Sequence, residues 1–260
     1  MSKASIKNRE GEKIVFDLDI ARPQKGLAFI MPGLGGFKEQ PHIQVMAEVF
    51  KARDFTVLLI DPLNSFGESS GDYRDSTVDT HYETLVSVIE WAKNQPWYQE
   101  PFALAGHSLG AMAVALYAEN NQGEVAALAP ISVVVSGKLS MQAHEKFKKE
   151  EMVKWQETGW LTKPSKSKPG IIKKLPWSHM ENRLKYNLLL GADKLTMPLL
   201  LVVGSEDIST PSEHQKIFFA NIPGEKKQLH IIKGSPHTFV KDEHLEELKD
   251  IFNKWIKTWS

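Results

Sequence analysis

The sequence predicts an α/β protein: a mostly parallel central sheet with helices on both faces, interrupted by an inserted, largely helical cap. Three observations predict it. Short apolar runs alternate with segments whose apolar residues recur at helical spacing, the rhythm of βαβ units. Some runs, such as FTVLLI at 55–60 and LLLVV at 199–203, are apolar almost throughout, as strands covered on both faces are. Residues 137–190 then break the rhythm, being rich in Lys, Trp, Pro and Met with no strong strand signal.

In chain order, Ser5–Asn8 and Lys13–Ile20 flank Arg-Glu-Gly-Glu as the arms of a hairpin. Gly26–Met31 is a buried-type strand closed by Pro32-Gly33, and Gln40–Ala52 carries Ile43, Met46, Val49 and Phe50 on one helical face. Phe55–Ile60 is a central strand ending at Asp61-Pro62. In Thr80–Lys93, Leu85, Val88, Ile89 and Ala92 fall at helical spacing. Pro101–Ala105, Ser108–Glu119 and Val125–Ala129 read as strand, helix and strand. Downstream, Leu199–Val203 and Gln228–Ile232 resume the strand pattern around a helix at Ser212–Ala220. Leu245, Leu248, Phe252, Trp255 and Trp259 form the core stripe of a last amphipathic helix. The expected organisation is a core domain of residues 1–136 and 191–260, with residues 137–190 as a cap or lid.

Composition narrows the function classes. Lys+Arg and Asp+Glu both total 32, so no net charge draws the chain to nucleic acid or a membrane surface. The absence of cysteine excludes disulfides, thiolate metal sites and a cysteine nucleophile. MSKASIKNREGEKIVF has no apolar signal region, and no apolar run approaches the roughly 20 residues of a membrane helix. A cytoplasmic protein without stable membrane insertion is expected. Within 137–190, however, 12 Lys+Arg stand against 5 Asp+Glu. That excess is either a solvated surface or a positive lid that attracts anionic substrates or an anionic interface.

Chemistry concentrates at Gly106-His107-Ser108-Leu109-Gly110. This G-x-S-x-G lies between the apolar FALA and the helix-forming AMAVALYA. A strand turning sharply into a helix projects its turn residue outward, and glycine on both flanks avoids collision with neighbouring backbone. Ser108 is the expected nucleophile. A serine hydroxyl needs a base, and among nine histidines His237 is placed best, in GSPHT directly after the strand Gln228–Ile232. His107 adjoins the serine but points away from it, while His42, His81 and His144 read as surface or cap residues. The base needs an acid to fix its tautomer. Asp207, in GSEDISTP after Leu199–Val203, is the expected partner, with Glu206 as the alternative. Asp61 is expected to hold the loop DPLNSFGESSG through backbone hydrogen bonds. The backbone N–H groups of Leu34, in PGLGG, and Leu109 are the expected oxyanion donors.

The order Ser108…Asp207…His237 resembles that of the α/β-hydrolase superfamily, as do the elbow, the GSEDISTP and GSPHTF loops and DPLNSFGESSG. Within it, PGLGGFKE and APISVVVSGK are similar to small serine esterases of the feruloyl (cinnamoyl) esterase and monoacylglycerol lipase type. The chain departs from them in Pro32 before Gly33 and in Gly110-Ala111 after the serine turn. The resemblance implies a carboxylic-ester hydrolase working through an acyl-enzyme, with no cofactor and no metal. The alternatives are the same residues acting on an amide, peptide or thioester, or a non-catalytic binding protein on a hydrolase fold. The expected partner is a small-molecule ester, not nucleic acid, and a homodimer is left open. Trp155, Trp160, Trp177, Met141 and Met152 are candidates for the cap's pocket wall or for its own small core.

Overall fold

The strand pattern of the sequence resolves into one eight-stranded sheet and one two-stranded sheet in the computed structural model, which describes residues 1–165 and 168–260. The strands are β1 (Ser2–Lys7), β2 (Lys13–Asp19), β3 (Gly26–Met31), β4 (Phe55–Ile60), β5 (Phe102–His107), β6 (Val125–Ile131), β7 (Trp160–Pro164), β8 (Ile172–Pro176), β9 (Leu199–Gly204) and β10 (Lys227–Ile232). The helices are α1 (Pro41–Lys51), α2 (Val78–Ala92), α3 (Leu109–Asn120), α4 (Gly137–Phe147), α5 (Lys149–Thr158), α6 (Ser178–Leu184), α7 (Ser212–Asn221) and α8 (Asp242–Ile256). The large sheet runs β1-β2-β4-β3-β5-β6-β9-β10; β2 is antiparallel to both neighbours and every pairing from β4 to β10 is parallel.

The period of two along each strand divides the core. On β3, Leu27, Phe29 and Met31 enter one core, whereas Ala28 and Ile30 enter the other. The first core is completed by α2, α3 and α7, the second by α1 and α8. In the second, Ala103, Ala105, Ala127 and Ala129 leave room on the sheet for Phe50, Phe252 and Trp255. Local signals set the helix ends: Pro41 opens α1, and Thr77 closes a capping box with Thr80 at the start of α2. Helix α3 is buried nearly all round, which explains its apolar composition.

Between β6 and β9 lie α4, α5, β7, β8 and α6; residues 166 and 167 of the expected 137–190 cap fall outside the described residues. The two ends of this insertion are pinned together. Gly137 N–H donates to Tyr186 O at 3.0 Å and Leu188 N–H to Val135 O at 2.9 Å. Helix α6 is tied to the start of α2, where His179 Nδ1–H donates to Ser76 O at 2.6 Å and Val78 N–H to Asn182 Oδ1 at 3.0 Å. The β7–β8 hairpin corrects the expectation of a segment without strands. Its arms, WLTKP and IKKLP, each bury one residue, Leu161 and Leu175, which face each other across the register. One apolar pair leaves almost no alternation to detect. Met152, Trp155, Leu161, Leu175 and Met180 form the cap's own cluster, with Met141 and Trp177 packed against it; Trp160 is exposed.

Asp61, at the end of β4, organises the loop that follows. Its Oδ1 accepts from Lys38 N–H at 2.9 Å, and its Oδ2 accepts from Glu68 N–H at 2.9 Å and from Lys38 Nζ at 3.1 Å. Both side chains of this ion pair are buried, at 0% and 1% exposure. Asp61→Ala therefore strands a buried ammonium whose remaining partners, Glu39 and Glu68, are half exposed. The expected cost is about 3 kcal/mol, read as a fall of roughly 6–12 °C in Tm. An unchanged Tm contradicts this role for Asp61.

Candidate active site

Ser108 joins β5 to α3 with φ 56° and ψ −113°, a conformation that side chains rarely adopt. Its N–H donates to Ile131 O at 2.9 Å and its carbonyl accepts from Met112 N–H at 3.1 Å. The flanking glycines are there for space. A Cβ at Gly106 would lie 2.7 Å from Gly110 O, and one at Gly110 would lie 2.1 Å from Pro32 O. The turn is thus pressed against the loop leaving β3, and that loop passes directly over Ser108.

The loops after β9 and β10 open on the same edge, as a parallel sheet requires. They bring Asp207 and His237 to Ser108. His237 Nε2 lies 2.9 Å from Ser108 Oγ, and His237 Nδ1 lies 2.7 Å from Asp207 Oδ2. An Nδ1–H donated to the carboxylate leaves the Nε2 lone pair facing the hydroxyl. Asp207 Oδ1 also accepts from the N–H groups of Ser209 at 2.8 Å and Thr210 at 2.9 Å, and Oδ2 accepts from Thr210 Oγ1 at 2.7 Å. Burial alone would raise this carboxyl. The charge and hydrogen bond of His237, with the Thr210 donors, outweigh burial and hold it well below the usual carboxylate range. Glu206, the alternative acid, is exposed, and its backbone N–H donates to Ser235 O at 3.0 Å.

The histidines near the site depart from the sequence expectation. His42 and His81 are buried, at 2% and 0% exposure, rather than on the surface. His107 does turn from the serine, but its Nε2–H donates to the backbone carbonyl of His237 at 2.8 Å, and His42 packs against its ring at 4.4 Å. His107 therefore fixes the loop that carries His237, and nothing in residue type or spacing signals that. Thr210 was also missed, although its place three residues after Asp207 is the spacing of an Asp that binds its own loop.

The two expected oxyanion donors sit beside the serine. Leu109 is the first residue of α3, so its N–H has no acceptor within the helix. The Leu34 N–H meets no acceptor among the described residues. A Cβ on the preceding residue, Gly33, would lie 2.9 Å from Ser108 Cβ, which shows how closely this loop approaches.

A cavity of about 960 Å³ opens above Ser108 and His237. Leu34 lines its floor side, and the cap contributes Lys148, Trp155, Leu161, Lys163, Lys173 and Arg183. Of the cap aromatics and methionines, Trp155 alone reaches this wall. Among the described residues, no group of three or more His, Asp or Glu side chains is placed to hold a metal ion. No described helix is long and apolar enough to cross a membrane.

Residues 38–175, just over half the chain, match the family model described as X-Pro dipeptidyl-peptidase (S15 family). A curated relative, an uncharacterized 31.7 kDa protein of the traX-finO intergenic region of Escherichia coli, is 22% identical over 95% of this chain and 96% of its own. Among solved structures, Est1E of Butyrivibrio proteoclasticus with ferulic acid bound is 22% identical, with a TM-score of 0.80 over 98% of each chain. Mouse alpha/beta hydrolase domain-containing protein 10 is 18% identical, with a TM-score of 0.80 over 100% of each chain. An esterase of Pyrococcus furiosus is 18% identical, with a TM-score of 0.73 over 99% of this chain and 90% of its own. The fold is that of the α/β hydrolases.

Five buried histidines make stability sensitive to mild acid. Burial, ahead of every other cause, lowers His42 to about 3, His81 to about 4 and His144 to about 3, and places His107 and His179 well below the ordinary value. As pH falls through about 6.5, the unfolded chain binds protons that the folded one refuses, so unfolding becomes easier. Each such histidine removes roughly 1 kcal/mol between pH 6.5 and 5.5. Urea unfolding at pH 7.5, 6.5 and 5.5 is expected to show a loss of roughly 1–2 kcal/mol over the first interval and a larger loss of several kcal/mol over the second. A flat profile contradicts neutral burial of these rings.

Proposed function

The chain belongs to the X-Pro dipeptidyl-peptidase (S15) family, and from that premise we propose that it is a cofactor-independent serine hydrolase that cleaves carboxylic esters. One observation carries the reading: Ser108 Oγ, the His237 ring and Asp207 lie in hydrogen-bonded sequence, at 2.9 and 2.7 Å, with Ser108 and His237 lining the cavity. In this reaction His237 Nε2 removes the Ser108 proton as Oγ attacks the ester carbonyl. Asp207 stabilises the resulting imidazolium. The negative charge on the carbonyl oxygen is met by the Leu34 and Leu109 N–H groups, each contributing roughly 3 kcal/mol at the transition state. The imidazolium then protonates the departing alcohol. Water, activated by the same nitrogen, releases the acid from Ser108.

The family match favours a second reading, cleavage of a peptide. A dipeptidyl-peptidase has to hold the free ammonium of its substrate, for which carboxylates are the natural partners. Two of the cavity's carboxylates are already engaged, Glu39 with Lys38 at 2.7 Å and Glu151 with Lys163 at 3.3 Å. The third, Glu206, is exposed at the cavity's edge, so an N-terminal ammonium would have one exposed carboxylate to meet against several cap cations, which supports an ester over an N-terminal dipeptide. The likeness to a structure holding ferulic acid, and Trp155 in the wall, make aromatic acids the first acyl groups to try.

The test compares p-nitrophenyl esters of aliphatic and cinnamic acids with Xaa-Pro p-nitroanilides. Esters are expected to turn over, with the anilides left intact and Ser108→Ala lowering ester kcat by at least about 10⁴-fold in a folded protein. Cleavage of the Xaa-Pro anilides in place of the esters would overturn the esterase reading in favour of the peptidase one.

A further inference from the structure

Three cationic side chains of the cap line the cavity above Ser108 with no ion-pair partner among the described residues: Lys148, Lys173 and Arg183. Arg183, on α6, is the most telling. It is 6% exposed, and its Nη1 donates to Ser140 Oγ at 2.7 Å. Its Nη2 donates to His179 Nε2 at 2.5 Å, while its Nε has no acceptor. His179 is neutral in this contact, because its Nδ1–H is committed to Ser76 O and burial keeps a second proton off the ring. A guanidinium has five N–H donors, so the two neutral acceptors leave most of the fork unused. Burial lowers Arg183 only to about 10, which leaves it cationic at neutral pH.

The other two are half-buried and likewise lack an ion-pair partner among the described residues. Lys173 Nζ lies over the rings of Phe66 and Tyr73, at 5.1 and 5.6 Å from their centroids, with no carboxylate contact. Lys148 Nζ donates to the Ser209 hydroxyl at 3.3 Å. A buried charge without a counter-ion is costly, and a chain of zero net charge has no shortage of carboxylates to place there. Among the described residues, the one cavity carboxylate not engaged in an ion pair, Glu206, is exposed on the loop after β9.

We propose that the ester processed at Ser108 carries an oxyanion, a carboxylate or phosphate, which docks against Arg183 with Lys173 and Lys148 beside it. This assignment rests on the esterase reading for its reaction, but not for its binding site. The planar fork of Arg183 suits two-point capture of such a group, and the two lysines add attraction without fixed geometry. Part of the cap's basic excess then faces the substrate, while Lys138, Lys146, Lys149, Lys154, Lys174 and Lys185 lie on its solvated face.

The experiment uses paired esters that differ only in charge: p-nitrophenyl hydrogen glutarate against its methyl-blocked twin for the acyl side, and 3-acetoxybenzoate against its methyl ester for the alcohol side. For at least one pair, kcat/KM is expected to favour the anion tenfold or more at low ionic strength, with the preference shrinking as salt rises. Arg183→Gln and, independently, Lys173→Gln are expected to reduce that ratio several-fold. Calorimetric titration of Ser108→Ala protein with glutarate and with inorganic phosphate reads the site without turnover, and saturable binding weakened by Lys173→Gln supports it. If no ester is cleaved but such binding is found, the esterase reading fails and the anion site stands. Equal or better use of both neutral twins, or an anion preference and binding indifferent to both substitutions, overturns the proposal.

Discussion

Ser108 is held at φ 56°, in a turn that costs an L-residue about 1–3 kcal/mol, by contacts from three directions. Its N–H is taken up by Ile131 at the end of β6, its carbonyl closes the first turn of α3, and the loop after β3 lies against it. Only glycine at 106 and 110 lets these backbones meet. The direction of Oγ, the free N–H of Leu109 and the nearness of Leu34 all follow from this one turn. The long-range partners follow from the sheet: β9 and β10 run parallel to β5 and β6, so the loops bearing Asp207 and His237 emerge on the same side.

Charge around the serine is sorted by burial. Asp207 is buried but richly hydrogen-bonded, and so stays ionised. His42 and His107, buried without such compensation, stay neutral and serve as packing and as a strut beneath the His237 loop. The cap adds cations on the far wall. The result is a cavity lined by Leu34, Ser108 and His237 from the sheet and by Lys148, Lys173 and Arg183 of the cap, three cations without an ion-pair partner among the described residues.

Much of this was legible in the sequence because burial on both faces writes long apolar runs. FTVLLI, GLAFIM, FALAGH and LLLVV are all inner strands of the large sheet, buried along their whole length. The elbow, the acid loop and the histidine loop were placed by the strands they follow, and the structure brings Ser108, Asp207 and His237 together. Other features left no mark on residue pattern. The β7–β8 hairpin buries one leucine per arm, and its register rests on backbone pairing. Strand β1 starts before the expected Ser5 because its pairing with β2 extends over half-exposed residues. Histidine is intermediate in its burial preference, so residue type alone does not signal that His42 and His81 are buried. The lysines of the cap are alike in sequence, and only its folding over the sheet separates Lys173, which faces the cavity, from Lys174.

Activation of Ser108 by His237 is tested most directly by covalent capture. The protein is treated with a fluorophosphonate, and the adduct is located by peptide mass spectrometry. A single adduct on Ser108 is expected, forming at least about 10³-fold more slowly in His237→Ala. No adduct in the folded protein, or an adduct whose rate ignores the His237 substitution, would contradict an activated serine and return the chain to the class of binding proteins on a hydrolase fold.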